Sequence, residues 1–226
     1  MTTEQRGRAP SQIVIAALVL GALALTAFGG IDRRVAALFF SPRDWFLGNH
    51  EPYLTLRYAT TIAGWGVGLF VLAGLAWRVA LGRPFFGLSR GAIVYLILVF
   101  ALGPGLIANA VLKDHWHRAR PAHTEQFGGP KHYTPPLLIA DQCDRNCSFV
   151  SGEASLGFAF MAFGFAARTP ARRRLGLGAG IVLGSLFGLL RMVEGGHYLS
   201  DVYFAGLVMA LTAWLLQRLF IARGWV

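Results

Sequence analysis

A histidine, an aspartate and an arginine lie close together between two long apolar stretches of the chain. They belong to the segment Arg191-Met-Val-Glu-Gly-Gly-His197-Tyr-Leu-Ser-Asp201. If the residues after Gly196 are helical, His197 and Asp201 share one face, because residues four apart are neighbours on a helix. A carboxylate in that position can hold one imidazole nitrogen and leave the other free to attack. The nearby Arg191 indicates that the group attacked is an anion.

Two further clusters offer groups that bind phosphate. Lys113 and Arg120 are cationic donors, of which Arg can grip a phosphate with two parallel hydrogen bonds. Ser151 and Gly152 begin an apolar stretch. The start of a helix there would present free backbone N–H groups and a positive dipole end to an anion, and a glycine allows close approach. We predict that the phosphate-binding residues are Lys113, Arg120, Ser151, Gly152 and Arg191.

The three clusters together indicate nucleophilic catalysis on a phosphate. His197 is the predicted nucleophile, and Asp201 is expected to fix its tautomer and stabilise the imidazolium. Attack would form a covalent phospho-histidine, which water would then hydrolyse. No metal or cofactor is expected in this scheme.

The elements that must position these residues are those of a membrane protein. The chain has 226 residues, of which 55% are hydrophobic and 14% charged, a more apolar balance than that of ordinary soluble domains. The apolar residues form blocks of about 20, the length that crosses a bilayer as a helix. We predict an all-α polytopic protein with one domain, residues 1–226, whose first block is retained rather than cleaved as a signal. The six predicted transmembrane helices cover about residues 12–30, 58–80, 90–112, 152–168, 174–192 and 199–221.

Alternating crossings would place all three clusters at the same membrane face. The distribution of Lys and Arg slightly favours cytoplasmic N- and C-termini, which puts the clusters and the polar loop 113–150 in the periplasm. The expected location is therefore the bacterial inner membrane. The net charge of +10 is concentrated on the cytoplasmic side, which indicates contact with anionic membrane lipids rather than nucleic acid.

Two cysteines, Cys143 and Cys147, lie in this loop. A disulfide can persist outside the cytoplasm, and we predict that the two residues form one. The alternative is a pair of unrelated free thiols, whereas a metal site would need more ligands.

Three other features carry expectations of their own. A short interfacial helix is expected near Asp32, followed by Trp45 at the level of the lipid headgroups. The segment Gly103-Pro104-Gly105 should kink the third transmembrane helix. Arg118 is expected to be an interfacial cation or to pair with acidic loop residues.

The order Lys-x6-Arg-Pro, Ser-Gly, Arg-x5-His-x3-Asp resembles the type 2 phosphatidic acid phosphatase family, whose relatives include the vanadium haloperoxidases. The motifs run from Lys113 to Asp201. The resemblance implies an all-helical membrane phosphatase without a metal, which acts on a lipid phosphate at the outer leaflet. It also implies the same assignment of phosphate-binding residues, with His197 attacking.

The middle motif departs from the family pattern. The family usually has Pro-Ser-Gly-His, with the histidine as general acid, whereas this chain has Val150-Ser151-Gly152-Glu153. Burial would favour a protonated Glu153, but nearby cations would favour the carboxylate, which is a poor acid. One hypothesis is that the substrate needs little protonation of its leaving group, as a polyprenyl diphosphate or a lipid A 1-phosphate would. A loop histidine could instead supply the proton: His115, His117, His123 or His132.

Other functions remain open at the level of sequence. The substrate could be phosphatidylglycerol phosphate or phosphatidic acid. A phosphotransferase would share the first half-reaction and pass the phosphoryl group to a hydroxyl other than water. A non-catalytic lipid transporter would use the charged residues along a pathway, although these residues gather at one end of the predicted bundle.

Overall fold

The computed structural model is mostly helical, which confirms the predicted class. Seven helices of at least eight residues and two short 3-10 helices, Pro121–His123 and Glu125–Phe127, follow one another along the described residues. Six of the seven longer helices lie close to the predicted apolar blocks. The first predicted block is described from Leu18 onwards, and its residues 12–17 lie outside the described part. The structure describes residues 18–41, 44–47, 50–51, 53–83 and 88–222. The helices are α1 Leu18–Ala27, α2 Gly30–Ala37, α3 Tyr53–Leu81, α4 Arg90–His115, α5 Gly152–Phe165, α6 Pro170–Val193 and α7 Leu199–Ala222.

Three of the described helices have the length and composition of membrane spans. They are α4, α6 and α7, with apolar lengths of 26, 24 and 22 residues. The described part of α1 and the whole of α5 are shorter apolar helices, and α3 contains the apolar stretch Leu72–Leu81. The chain therefore has the helices of a membrane protein.

The third predicted span changes helix type in the segment where a kink was expected. Within α4, residues Ala101–Leu112 form a π-helix that contains Pro104. Proline cannot donate the backbone hydrogen bond that an α-helix requires, and the wider π-turn accommodates it. The Asn109 side chain donates to the Pro104 carbonyl oxygen at 2.6 Å. The helix continues beyond the predicted end at residue 112 and carries Lys113 in its final turn.

Helices α5 and α6 pack so closely that their backbones touch. A Cβ atom on Gly157 would lie 2.6 Å from the Gly184 backbone nitrogen, and one on Gly180 would lie 2.4 Å from the Met161 nitrogen. Only small residues permit this approach. The two helices form an antiparallel pair whose ends at Gly152 and Val193 meet on one side of the bundle.

The short helix expected near Asp32 is α2, which buries Asp32 and Ala36 and exposes Arg33 and Arg34. Asp32 is completely buried, and its carboxylate accepts from the Ser200 backbone N–H at the start of α7. Trp45 is also buried, with its ring centroid 4.9 Å from that of Phe127. Trp45, which was expected at the level of the lipid headgroups, has its indole ring covered by this aromatic cluster and the adjacent Gly195 backbone.

Candidate active site

The three clusters singled out in the sequence meet at one end of the helix bundle. Lys113 lies in the last turn of α4, and Gly152 opens α5. Arg191 lies in the last turn of α6, and His197 just precedes α7. Glu153 joins them, since its Oε2 lies 4.0 Å from Lys113 Nζ and 3.9 Å from His197 Nε2. Its Oε1 lies 3.3 Å from Arg191 Nε.

The start of α5 is fixed against α4 and α7. Ser151 is the N-cap of α5 through its own side chain, and its backbone N–H donates to the Asp201 carbonyl at 3.2 Å. A Cβ atom on Gly152 would lie 2.5 Å from Asn109 Oδ1 and 3.0 Å from Lys113 Nζ. Glycine at this position therefore lets the positive end of α5 approach the Lys113 ammonium group.

His197 is held through one ring nitrogen. Its Nδ1 lies 2.7 Å from the Ser148 carbonyl oxygen, and because a carbonyl can only accept, Nδ1 carries the proton in this arrangement. Nε2 is buried and has no hydrogen-bond partner within the part of the chain that the structure describes. The predicted partner Asp201 lies farther away, with Oδ2 at 3.8 Å from Nδ1. The Ser148 carbonyl takes the place expected for the carboxylate, because the segment before α5 runs beside the ring.

The surroundings of His197 keep its imidazole neutral. Burial lowers its pKa most, the interaction with Asp201 opposes this, and the charges of Arg191, Arg120 and Lys113 lower it further, to about 4. At neutral pH the ring therefore has an unprotonated Nε2, which is the state that a nucleophile requires.

Asp201 is placed by a set of short hydrogen bonds. Its Oδ2 accepts from Ser148 Oγ at 2.5 Å and from the Tyr198 backbone N–H at 2.8 Å, while its Oδ1 accepts from Arg118 Nη1 at 2.5 Å. Ser148 also presents its carbonyl to His197, so this one residue contacts both Asp201 and the imidazole.

Arg118 is not the interfacial cation expected from the sequence. It is completely buried, and it donates to Asp32 at 2.8 Å and to the Thr134 carbonyl at 2.7 Å in addition to Asp201. Burial alone would disfavour its charge, but Asp201 and Asp32 outweigh that effect and raise its pKa. The interfacial alternative failed because two carboxylates compensate the cost of burying the guanidinium group. Arg118 does pair with acidic residues, but these lie in α2 and α7 rather than in the loop.

Arg120 lies next to a small loop closed by the disulfide between Cys143 and Cys147. Its Nη2 and Nε donate to the Asn146 carbonyl at 2.7 and 3.2 Å. Arg120 is close enough to His197 for its charge to lower the pKa of that histidine. The disulfide loop thus sets the direction of the guanidinium group at the edge of the cluster.

Arg191 connects the site with the turn that follows α6. It forms ion pairs with Glu153 and with Glu194. A Cβ atom on Gly196 would lie 2.8 Å from Arg191 Nη2, so the glycine makes room for the guanidinium group beneath the turn. The arginine is 2% exposed, which places its charge inside the protein beside His197.

An open cavity of about 620 Å³ lies elsewhere, between the α1–α2 junction and the segment 124–135. Arg33 and Tyr133 line it, and none of the eight candidate catalytic and phosphate-binding residues does. The candidate site is thus a packed cluster of charged side chains rather than this cavity.

Sequence reasoning did not assign roles to Asp32, Ser148 or Arg118. The available signal was the position of Asp32 and Arg118 near the ends of apolar segments, since charges that border a membrane are costly to retain. Ser148 contacts His197 through its backbone carbonyl, and the pattern of side chains in a sequence does not predict such a contact.

Comparisons with known proteins point to one family. The family model described as the PAP2 superfamily matches residues 93–225, a range that includes all eight candidate residues. A "Lipid A 4'-phosphatase" of Francisella tularensis subsp. novicida (strain U112) is 44% identical over 130 residues, which cover 58% of this chain and 59% of the relative. A "Lipid A 4'-phosphatase" of Rhizobium leguminosarum is 43% identical over 103 residues, or 45% of this chain and 43% of the relative. The chain thus spans less than two thirds of the length of these relatives. No solved structure gives a significant match.

Proposed function

Because the chain belongs to the PAP2 superfamily, we propose that it is a membrane phosphatase that removes a phosphate from a lipid A-type glycolipid. Support for the substrate class comes from the relatives named lipid A 4'-phosphatase, which match at 44% and 43% identity. Support for the chemistry comes from the cluster around His197.

The observation that carries the proposal is the position of Glu153. Its carboxylate is an anion that already lies against Lys113 and Arg191, and its Oε2 is 3.9 Å from His197 Nε2. A phosphate can take the same cationic partners with better geometry, because a guanidinium group binds its oxygens in pairs. The bound phosphorus would then lie in front of the imidazole lone pair.

Two displacements at phosphorus follow from this arrangement. Nε2 of His197 attacks, the bond from phosphorus to the lipid oxygen breaks, and the phosphoryl group is carried on the ring. The Nδ1–H remains bonded to the Ser148 carbonyl, and the Asp201 carboxylate stabilises the positive ring. A water oxygen then attacks the phosphorus and passes a proton to the Glu153 carboxylate, the bond from phosphorus to Nε2 breaks, and inorganic phosphate and the neutral imidazole are released.

Glu153 is the proposed proton donor to the leaving oxygen. In the structure, the cations favour its carboxylate form. A bound phosphate would become the partner of Lys113 and Arg191, and its own negative charge would then favour a protonated Glu153. The 4′-oxygen of a glucosamine sugar leaves as an alkoxide and needs this proton. This favours the 4′-phosphate, as in the names of the relatives, over the 1-phosphate and polyprenyl diphosphate inferred from the sequence motif alone.

The proposed setting is the periplasmic face of the bacterial inner membrane. Six crossings with cytoplasmic termini would place the ends of α4 and α6 and the starts of α5 and α7 together on that face. The slight excess of Lys and Arg on the opposite side supports this orientation. The active site would then meet lipid A after its transfer to the outer leaflet.

The test is a panel assay with purified protein in detergent. The panel contains lipid A radiolabelled at the 4′- or the 1-phosphate, polyprenyl diphosphate, phosphatidylglycerol phosphate and phosphatidic acid. We expect inorganic phosphate to be released fastest from the 4′-labelled lipid. The His197→Ala variant should release none, whereas His50→Ala, which changes an exposed histidine in the segment between α2 and α3, should retain activity.

Each other outcome has a defined meaning. Release from the 1-labelled lipid alone would contradict the choice of position, and release that survives His197→Ala would contradict the mechanism. Label that appears in a lipid acceptor would identify a phosphotransferase. The absence of release from every lipid would favour a non-catalytic transporter.

A further inference from the structure

Asp32 in α2 is bonded to the start of α7 by an unusually complete set of contacts. The residue lies outside the range matched by the family model, which begins at residue 93. Its Oδ1 accepts from the Ser200 backbone N–H at 2.9 Å, and its Oδ2 accepts from Ser200 Oγ at 2.5 Å. Tyr133 also donates its hydroxyl to Oδ2 at 3.2 Å. The Asp32 side chain is completely buried.

Arg118 joins Asp32 to the carboxylate behind His197. Its Nη2 donates to Asp32 and its Nη1 to Asp201, at 2.8 and 2.5 Å, and all three side chains are fully buried. One guanidinium group between two carboxylates fixes their separation, because each of the three ions depends on the others for compensation of its charge. The Asp201 carboxylate therefore cannot shift without a shift of Asp32.

We infer that Asp32 is a positioning residue for phosphoryl transfer, which acts through Arg118 and Ser200 to fix Asp201 and the first turn of α7. The inference rests on the proposed function of His197. The chain of contacts is continuous, since Asp201 accepts from Ser148 Oγ and the Ser148 carbonyl holds His197 Nδ1. Asp32 makes no contact with the substrate in this scheme.

Loss of the Asp32 charge would alter the orientation of the His197 imidazole more than it would alter the binding of substrate. Arg118 would be left with Asp201 as its only carboxylate partner in this network and would draw it away from Ser148. Small displacements of a reacting group have large effects on rate, and loss of an outer partner of an active group typically costs about 10- to 100-fold. Lys113, Arg191 and Glu153 are not part of the network, so binding of the phosphate should change little.

The primary experiment compares Asp32→Asn with the unaltered protein on 4′-labelled lipid A. We expect kcat and the single-turnover rate of phospho-histidine formation to fall at least tenfold, with KM within about twofold. The matched control is Glu125→Gln, which removes an exposed carboxylate paired with His132 at 2.9 Å and should leave kcat unchanged. A folded Asp32→Asn protein with unchanged kcat would overturn the inference.

A double-mutant cycle separates positioning from general damage to the fold. In an Asp201→Asn background, addition of Asp32→Asn should change kcat less than twofold, because the pathway through Asp201 is already lost. Independent losses that multiply would contradict the inference. If Asp32→Asn does not fold, Ser200→Ala removes one hydroxyl of the same network and should lower kcat at least threefold, and full activity would again count against the inference.

The outcome for His197→Ala distinguishes the two proposals. If that variant remains active, the proposed function fails regardless of the behaviour of Asp32. If His197→Ala is inactive and Asp32→Asn is fully active, the proposed function stands and only the positioning role fails.

Discussion

The two sides of the His197 ring differ sharply in how tightly their groups are held. On the Nε2 side, Glu153 lies 3.3 to 4.0 Å from its charged neighbours and 22% of its side chain is exposed. On the Nδ1 side, hydrogen bonds of 2.5 to 2.9 Å join side chains that are fully buried. We call Lys113, Glu153 and Arg191 the front cluster, and Asp32, Arg118, Ser148, Ser200 and Asp201 the rear network.

We infer from this difference that the front cluster can exchange its anionic partner, whereas the rear network supports the imidazole. The front cluster holds a carboxylate by long ion pairs, which a phosphate can replace at little cost. The rear network has short bonds that would be expensive to break, because each buried group would be left unsatisfied. Both properties would assist a nucleophilic His197. The preorganised rear network fixes the direction of the imidazole, and the front cluster can still exchange Glu153 for a phosphate.

The largest expected effect is on stability, from a change in the rear network. Arg118→Gln leaves the buried carboxylates of Asp32 and Asp201 uncompensated, so the free energy of unfolding should fall by about 3–5 kcal/mol. Denaturant unfolding in detergent, followed by tryptophan fluorescence, measures this. Arg145→Gln, at an exposed position of the same loop, is the control. If Arg118→Gln and Arg145→Gln were equally stable, the proposed difference between the front cluster and the rear network would be contradicted.

The next effect is on activity, from a change in the front cluster. Arg191→Gln removes a donor to the phosphate, and kcat/KM should fall about 10²- to 10³-fold. Its free energy of unfolding should fall by less than that of Arg118→Gln, because Glu153 keeps Lys113 as a cationic partner and its side chain is 22% exposed. Arg191→Lys keeps the charge but loses the paired hydrogen bonds, so it should fall between Arg191→Gln and the unaltered protein. Arg174→Gln, at an exposed position near the other end of α6, serves as the control, and a normal kcat/KM in Arg191→Gln would refute the assignment.

A smaller and substrate-dependent effect is expected at Glu153. Glu153→Gln removes the proposed proton donor, so kcat on the 4′-phosphate should fall about 10²-fold. Polyprenyl diphosphate has a better leaving group and should lose less than tenfold. Inorganic phosphate should inhibit the variant more strongly, because the competing carboxylate is gone. An equal loss of kcat on both substrates would show that Glu153 does not protonate the leaving group.

The smallest effect concerns pH. Because the pKa of His197 is lowered to about 4, the imidazole stays neutral as pH falls from 7 to 5. Phospho-histidine formation in a single turnover should therefore change less than about twofold, whereas a histidine with the ordinary pKa of about 6.5 would lose more than tenfold. In Arg191→Gln, one of the charges that lower the pKa is absent, so the acidic fall in rate should begin at higher pH. Rapid-quench measurements on the two proteins test both statements, and identical acid profiles would contradict the second.

The sequence was most informative where function depends on side chains at fixed spacing. The order from Lys113 to Asp201 led to the eight candidate residues, and the structure gathers them at one end of the bundle. Apolar blocks located the helices to within several residues. The apolar blocks could not predict the π-helical form of α4. That form contains Pro104, whose carbonyl oxygen accepts a hydrogen bond from the Asn109 side chain.

The rear network was beyond sequence reasoning for a physical reason. Asp32 and Arg118 are separated by 86 residues, and no local period connects a residue of α2 with one in the loop after α4. Arg118 looked exposed because burial of an arginine is unfavourable unless its partners are known. The contact of His197 with the Ser148 carbonyl was equally hidden, since it depends on the path of the backbone.

The close seam between α5 and α6 limits the route by which a lipid can approach. Their backbones touch at Gly157 and Gly184 and again at Gly180 and Met161, so an acyl chain could not pass between these helices without forcing them apart. The pair carries Glu153 and Arg191 at the same end, one at the start of α5 and the other in the last turn of α6, and a rigid seam keeps these two groups in register. The headgroup of a membrane-embedded substrate would therefore have to reach the active site from another side of the bundle. The contact between α5 and α6 would form a rigid side of that site.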